Sequence, residues 1–172
     1  MDVIVAINAR RTTRRFKSKE VRKELILKVF EAGRLAPSAK NQQNLKFIAI
    51  TDPAMREEIR PYVNGQNFAI EAPVLIAVCA LDNKRMMKCD EPAGTIDAAI
   101  ALSFMVLRAQ ELGLSTCWMG NFNAEGIRKI IKAPENVKIV ALTPLGYSDE
   151  EHSLRLRKHL DEFVSFNGFY SE

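Results

Sequence analysis

The nine residues from Pro73 to Leu81, PVLIAVCAL, carry no charged and no hydrogen-bonding polar side chain. A strand with one wet face alternates apolar and polar residues, whereas a run that is apolar at every position has no face to give to water. This segment therefore demands cover on both sides. A second long apolar stretch follows over 94–113, GTIDAAIALSFMVLRAQELG, apolar almost all round until Arg108. Such a helix is central rather than peripheral, and Gly113 supplies its stop. A buried strand and a buried helix within 172 residues point to a sheet covered on both faces by helices around a single core.

The remaining segments fill in those layers. Val3, Ala6, Ile7 and Arg10 suggest a short first helix. Residues 20–35 repeat Leu25, Val29 and Ala32 at helical spacing, with Gly33 and Pro37 helping to end the helix. The polar loop APSAKNQQNLK leads to a strand over 46–51, which stops at Asp52-Pro53, and a helix follows over 53–60. Residues 82–93 read as an exposed charged loop and 114–119 as a short strand. Asn123 caps a helix over 124–132, and 137–147 is a further strand. Without an internal repeat or a low-complexity linker, residues 1–172 read as one domain. The tail over 152–172 is basic, then apolar: Phe163, Val164, Phe166, Phe169 and Tyr170 exceed what one small core takes. This tail is expected to pack on a second subunit.

Composition narrows the class. Hydrophobic residues are 47% and charged residues 27% of the chain, which excludes a disordered or collagen-like polymer. No run approaches the roughly 18 apolar residues of a membrane span. The opening MDVIVAINARR lacks the form of a secretory signal, so the cytoplasm is the expected compartment. Charge is uneven: residues 1–46 hold 12 Lys/Arg against 4 Asp/Glu, and residues 47–172 hold 13 against 17. A basic first quarter on an acidic body suggests an anionic ligand there. Cys79, Cys89 and Cys117 form no CxxC pair, and Cys79 and Cys117 lie in apolar runs, so buried core thiols are expected. His152 and His159 have no partners at ligand spacing, and no metal site is expected.

The chain lacks GxGxxG, GxxxxGK[ST], GxSxG and HExxH. Three polar constellations remain. Arg10-Arg11-Thr12-Thr13-Arg14-Arg15-Phe16 offers guanidinium forks and a hydroxyl suited to a phosphate monoester. Ala36-Pro37-Ser38-Ala39-Lys40-Asn41-Gln42-Gln43-Asn44 offers amides and a hydroxyl that can read a flat heterocycle. Arg155-Leu156-Arg157-Lys158 is a second basic cluster that can converge on the same phosphate. Each is also compatible with plain solvated surface.

Together these segments resemble the nitroreductase family of FMN-dependent oxidoreductases. The opening motif resembles RRSxRxY/F, and Ala36 to Gln43 resembles APSxxNxQ. Gln66-Asn67-Phe68-Ala69-Ile70-Glu71-Ala72-Pro73 is similar to QxFIxEAP. Gly113-Leu114-Ser115-Thr116-Cys117-Trp118-Met119-Gly120 is similar to GLGSCWxG, and Leu145-Gly146-Tyr147 to LGYP followed by a basic pair. Their order and spacing span nearly the whole chain. Three departures stand out. Gln43-Asn44-Leu45 replaces the usual QPW beside the expected substrate pocket, Ser148 replaces Pro after LGY, and Asn64-Gly65-Gln66 is scrambled relative to GNQ.

The resemblance implies an α+β, three-layer α/β/α fold with a mixed, mainly antiparallel central sheet flanked by helices. It implies a homodimer with two FMN sites at the subunit interface and ping-pong hydride transfer from NAD(P)H, through flavin N5, to a nitroaromatic, quinone or similar small acceptor. No group beyond the flavin is implied as catalytic. Arg10, Arg11, Thr12, Arg155 and Arg157 would hold the FMN phosphate. Arg14 would support the pyrimidine edge, where charge builds on reduction. Pro37, Ser38, Ala39 and Asn41 would come from the partner subunit, and Gly120, Asn121 and Gln66 would meet the ring system. Asn44 and Leu45 would border the substrate pocket, and Trp118 and Cys117 would serve mainly packing. Two other readings stand beside this one: a flavin-binding member with a specialised non-nitro reaction, and a nucleic-acid-binding domain using the basic stretch 10–23.

Overall fold

The computed structural model describes residues 2–82, 84–153 and 155–169. Its core is a four-stranded antiparallel sheet in the order β1-β2-β4-β3. The strands are β1 (Leu45–Ile50), β2 (Val74–Ala80), β3 (Ser115–Thr116) and β4 (Lys138–Gly146). The helices are α1 (Val3–Ala9), α2 (Lys23–Arg34), α3 (Pro53–Ile59), α4 (Phe68–Glu71), α5 (Ala93–Glu111) and α6 (Ala124–Ile130). Short 3-10 turns occupy Ala39–Asn41, Arg60–Tyr62 and Leu160–Glu162. All three strand pairings are antiparallel. Parallel pairing among the described residues is confined to one bridge, Thr12 to Thr116.

Every residue of β2 is buried. Its continuous apolarity is of the kind usual for parallel strands, yet both of its neighbours run antiparallel, because two helical layers sandwich it. Val74, Ile76 and Val78 face one way, into a core with Ile26 and Val29 of α2 and Leu102 and Met105 of α5. Leu75, Ala77 and Cys79 face the other way, among Ile59, Ile70 and Ile127 of α3, α4 and α6. The alternation of a strand divides one sequence run between two cores. A bulge after Val78, where Ala141 and Ile139 oppose consecutive β2 residues, leaves Val140 as the extra residue of β4.

Several expected boundaries move. The helix expected from 20 begins at Lys23. Its buried stripe is Ile26, Val29 and Gly33, with Leu25 and Ala32 at the margins. Gly33 does not end the helix. It lies inside it, where a Cβ would come within 2.8 Å of Met105 Sδ and 2.9 Å of the Phe47 ring, so α2 approaches α5 closely only because that position is bare. Gly113, by contrast, is a stop, at φ +72°. The strand expected over 114–119 shrinks to Ser115–Thr116. Asn123 caps α6 as expected, its side chain accepting from Gly126 N at 3.0 Å. No helix among the described residues is long and apolar enough to cross a membrane.

Candidate functional site

The arginine motif leaves α1 as extended chain clamped from two sides. Arg10 N donates to Ala6 O at 3.0 Å, and Thr13 N donates to Thr116 O at 3.0 Å. Beyond them Lys17 N donates to Tyr147 O at 2.9 Å and Asp149 N to Arg15 O at 3.0 Å. The Glu150 carboxylate accepts from Arg14 N at 2.5 Å. Burial would raise the Glu150 carboxyl, but the Arg14 and Arg15 amides outweigh it and hold the group below its ordinary range. The motif is thus held by β3 and by the chain that leaves β4.

This clamp presents Arg10, Arg11 and Thr12 to Arg155 and Arg157 across a cavity of about 630 Å³, which Ile7 and Asn8 also line. The two basic clusters do meet. Among the described residues that line this cavity there is no carboxylate. Burial, then the neighbouring guanidiniums of Arg157, Arg11 and Arg155, lower the Arg10 pKa. Like charges are held together here with no carboxylate among the described lining residues, the electrostatic form of an anion site. Arg11 is partly engaged, donating to Asn8 O at 2.6 Å and Arg10 O at 2.9 Å.

A second cavity of about 400 Å³ shares Arg10 and Thr12 and adds Ser103, Val106, Leu107, Thr116 and Trp118. Trp118, expected in packing, is 49% exposed here, while Cys117 is buried as expected. Just past β3, Cys117 and Met119 are buried and Trp118 between them faces outward. Burial pushes the Cys117 thiol up, with Arg14 pulling it partly back. Burial also lifts the Cys79 thiol to about 11, and neither is poised as a nucleophile. Beyond Trp118, the Asn121 carbonyl accepts from Gln66 Nε2 at 2.5 Å, and the Asn121 side chain accepts from Asn64 Nδ2 at 2.9 Å. Asn64 and Gln66, in the segment whose order departs from the family pattern, are therefore docked on Asn121. Arg14 stands over the Phe68 ring at 6.0 Å.

The loop over 36–45 is not brought to these arginines within one chain. Ala39 N donates to the buried Asp97 carboxylate at 2.9 Å, toward the N-terminal end of α5. Ser103 and Leu107 of the second cavity lie about 9–15 Å farther along that helix. Ser38 Oγ accepts from Gln43 N at 3.0 Å, and the Asn41 side chain accepts from Gln43 Nε2 at 3.1 Å. Pro37 is exposed and Asn44 half-buried. Leu45 opens β1 and packs against the α2–α5 core. Asp97 escaped sequence reasoning, although it is the one acid in an otherwise apolar half-helix, and that isolation was the available signal. Trp118 left none beyond its neighbours.

Comparison with known proteins points one way. The nitroreductase family model matches residues 7–71 and 64–147. A Methanothermobacter thermautotrophicus protein named for NADH dehydrogenase/NAD(P)H nitroreductase activity is 34% identical over 166 residues, covering 90% of this chain and 82% of that protein. The Bacillus subtilis protein named FMN reductase (NAD(P)H) is 26% identical over 173 residues, covering 91% and 70%. Among solved structures, an FMN-dependent nitroreductase of Clostridium difficile matches with a TM-score of 0.81 at 30% identity, covering 96% of this chain and 99% of that one. A second nitroreductase family protein of that organism matches at 0.88 and 26%, covering 98% and 100%.

Proposed function

Because the chain belongs to the nitroreductase family, we propose that it is an FMN-dependent oxidoreductase working with NAD(P)H. The observation that carries this reading is the convergence of Arg10, Arg11, Arg155 and Arg157 with Thr12 on one cavity. A phosphate monoester fits it: the guanidiniums offer paired donors, Thr12 adds a neutral hydroxyl, and the dianion relieves their mutual repulsion. The amides of Gln66 and Asn121 and the backbone at Gly120 suit the edge of a heterocycle. Bound there, FMN supplies hydride relay from NAD(P)H to a small oxidised acceptor such as a nitroaromatic or quinone, the two using one pocket in turn. Arg14 places a fixed cation beside the ring-binding surface. Asn44, where the family pattern has Pro, borders the acceptor pocket.

The site is shared between two copies. Pro37, Ser38, Ala39 and Asn41 of one subunit serve the arginine cavity of its partner. This follows the separation of the two regions within one chain. An apolar face supports the pairing: Val3, Ile4 and Ile7 of α1 are 70%, 61% and 48% exposed, and Phe104 of α5 is 43% exposed. The tail is also suited to a partner, with Phe163, Phe166 and Phe169 at 69%, 82% and 86%. Tyr170, assigned to the same tail, lies outside the described residues. The experiment is purification with FMN followed by NAD(P)H oxidation against a panel of nitroaromatics, quinones and free flavins. The reading expects a yellow dimer that turns over at least one of the acceptors. A colourless protein that binds nucleic acid in a salt-sensitive manner would overturn it.

A further inference from the structure

The four converging arginines repel one another, so a tie to the fold is needed to keep the tail pair in place. Just ahead of Arg155 and Arg157, His152 Nε2 lies 3.0 Å from Thr13 Oγ1 and 3.2 Å from Ser148 Oγ. Thr13 is fully buried, within the arginine motif itself. Its backbone is already fixed on Thr116. Ser148 Oγ in turn donates to Glu150 O at 3.1 Å and accepts from Glu150 N at 3.2 Å, and the Glu150 carboxylate holds Arg14 N. The chain that leaves β4 is therefore stitched to the motif at side chains as well as backbone. Proline, which the family pattern has in place of Ser148, offers no hydroxyl for such a stitch.

We propose that His152, held by Ser148 and bonded to Thr13, is a positioning residue that sets Arg155 and Arg157 against Arg10 and Arg11. The inference rests on the reading of that cavity as the FMN phosphate site. His152 does not touch the phosphate. It acts by keeping the tail arginines within reach of it, so its effect belongs to the phosphate and not to the flavin ring.

That distinction supplies the test. FMN and riboflavin share the ring system and differ by the phosphate, so their affinity ratio reads the phosphate site alone. In the full-length protein, His152→Ala should lower FMN affinity by roughly tenfold and leave riboflavin affinity as it was. His152→Gln, which keeps a hydrogen-bonding group, should restore part of the ratio. Thr13→Val should lower the ratio by a similar factor, and the double variant should be little worse than either single one, because both remove the same tie. An unchanged ratio in His152→Ala, or equal weakening of both ligands, would overturn the positioning role. A wild-type protein that binds both equally, or neither, would instead remove the phosphate reading beneath it.

Discussion

Residues 10–17 and residues 36–44 are both polar, irregular segments outside the named strands, and they are held in opposite ways. The first has no residue at positive φ and is clamped by its own chain through Thr116, Tyr147 and Glu150. It delivers its arginines to a cavity completed by Arg155 and Arg157. The second turns back on itself, with Lys40, Asn41 and Gln43 at φ 55°, 53° and 54°. Non-glycine residues in that region store on the order of 1–3 kcal/mol each. Ser38, Asn41 and the Asp97 anchor hold the loop in this shape. Strain maintained by dedicated contacts marks a preorganised surface, and this one does not line the arginine cavity of its own chain. On the proposed reading, the first segment is a finished half-site and the second is the half that serves a second copy.

The contrast predicts which changes act where. The largest effect falls on the finished half. Arg10→Glu removes a charge-assisted donor and adds a repelling carboxylate, so FMN affinity should fall by about 100-fold or more, as read by titration. Arg14→Ala comes next and acts on rate: the phosphate cavity stays intact and FMN still binds. The barrier to NAD(P)H-dependent turnover should rise by about 2–4 kcal/mol, as read by stopped-flow reduction of the loaded protein. A loaded variant reduced at the wild-type rate would remove Arg14 from the chemistry.

Asp97→Ala tests the other half. The Ala39 amide loses its acceptor, which costs about 1–3 kcal/mol. The loop should loosen, with faster hydrogen exchange at 38–43 and none at 10–17. Asp97→Asn keeps a side-chain oxygen and should preserve most of the protection. The smallest effect is that of Glu150. Its folded pKa lies below the ordinary value, so its contribution to stability is present above the unfolded pKa of 4.5 and is lost as pH falls through the folded value. Glu150→Gln should lower stability modestly at neutral pH, flatten the acid limb of the stability curve, and match the wild type once the carboxyl is protonated. The measurement is a thermal melt series.

The sequence made the layers legible, because β2 and α5 are apolar without interruption and only a two-sided cover accommodates that. It misplaced features that depend on contacts between distant segments. Gly33 reads as a helix stop until Met105 and Phe47 are seen against it. The segment 114–119 keeps β4 beside it and pairs again at Met119 with Leu142, but the ladder is interrupted at Cys117 and Trp118, so the strand proper is only Ser115–Thr116. In the site, the residue types of the arginine cavity were legible from two arginine-rich stretches. The contact of Thr13 with His152, 139 positions away, was not, since no local pattern encodes it. Asp97 was hidden for the same reason: its partner is a backbone amide of another segment.

The central claim is that each flavin site draws its arginines from one subunit and its 37–41 loop from the other. Subunit complementation tests it. One chain carries Arg10→Glu and Arg157→Glu, the other Ser38→Tyr and Asn41→Tyr, and differently tagged copies are purified as the mixed dimer. Neither variant should bind FMN alone. In the mixed dimer one site gathers both defects and the other is wholly wild type, so the account predicts one FMN per dimer, bound with wild-type affinity. A mixed dimer that binds no FMN would place each site within a single chain and contradict the account.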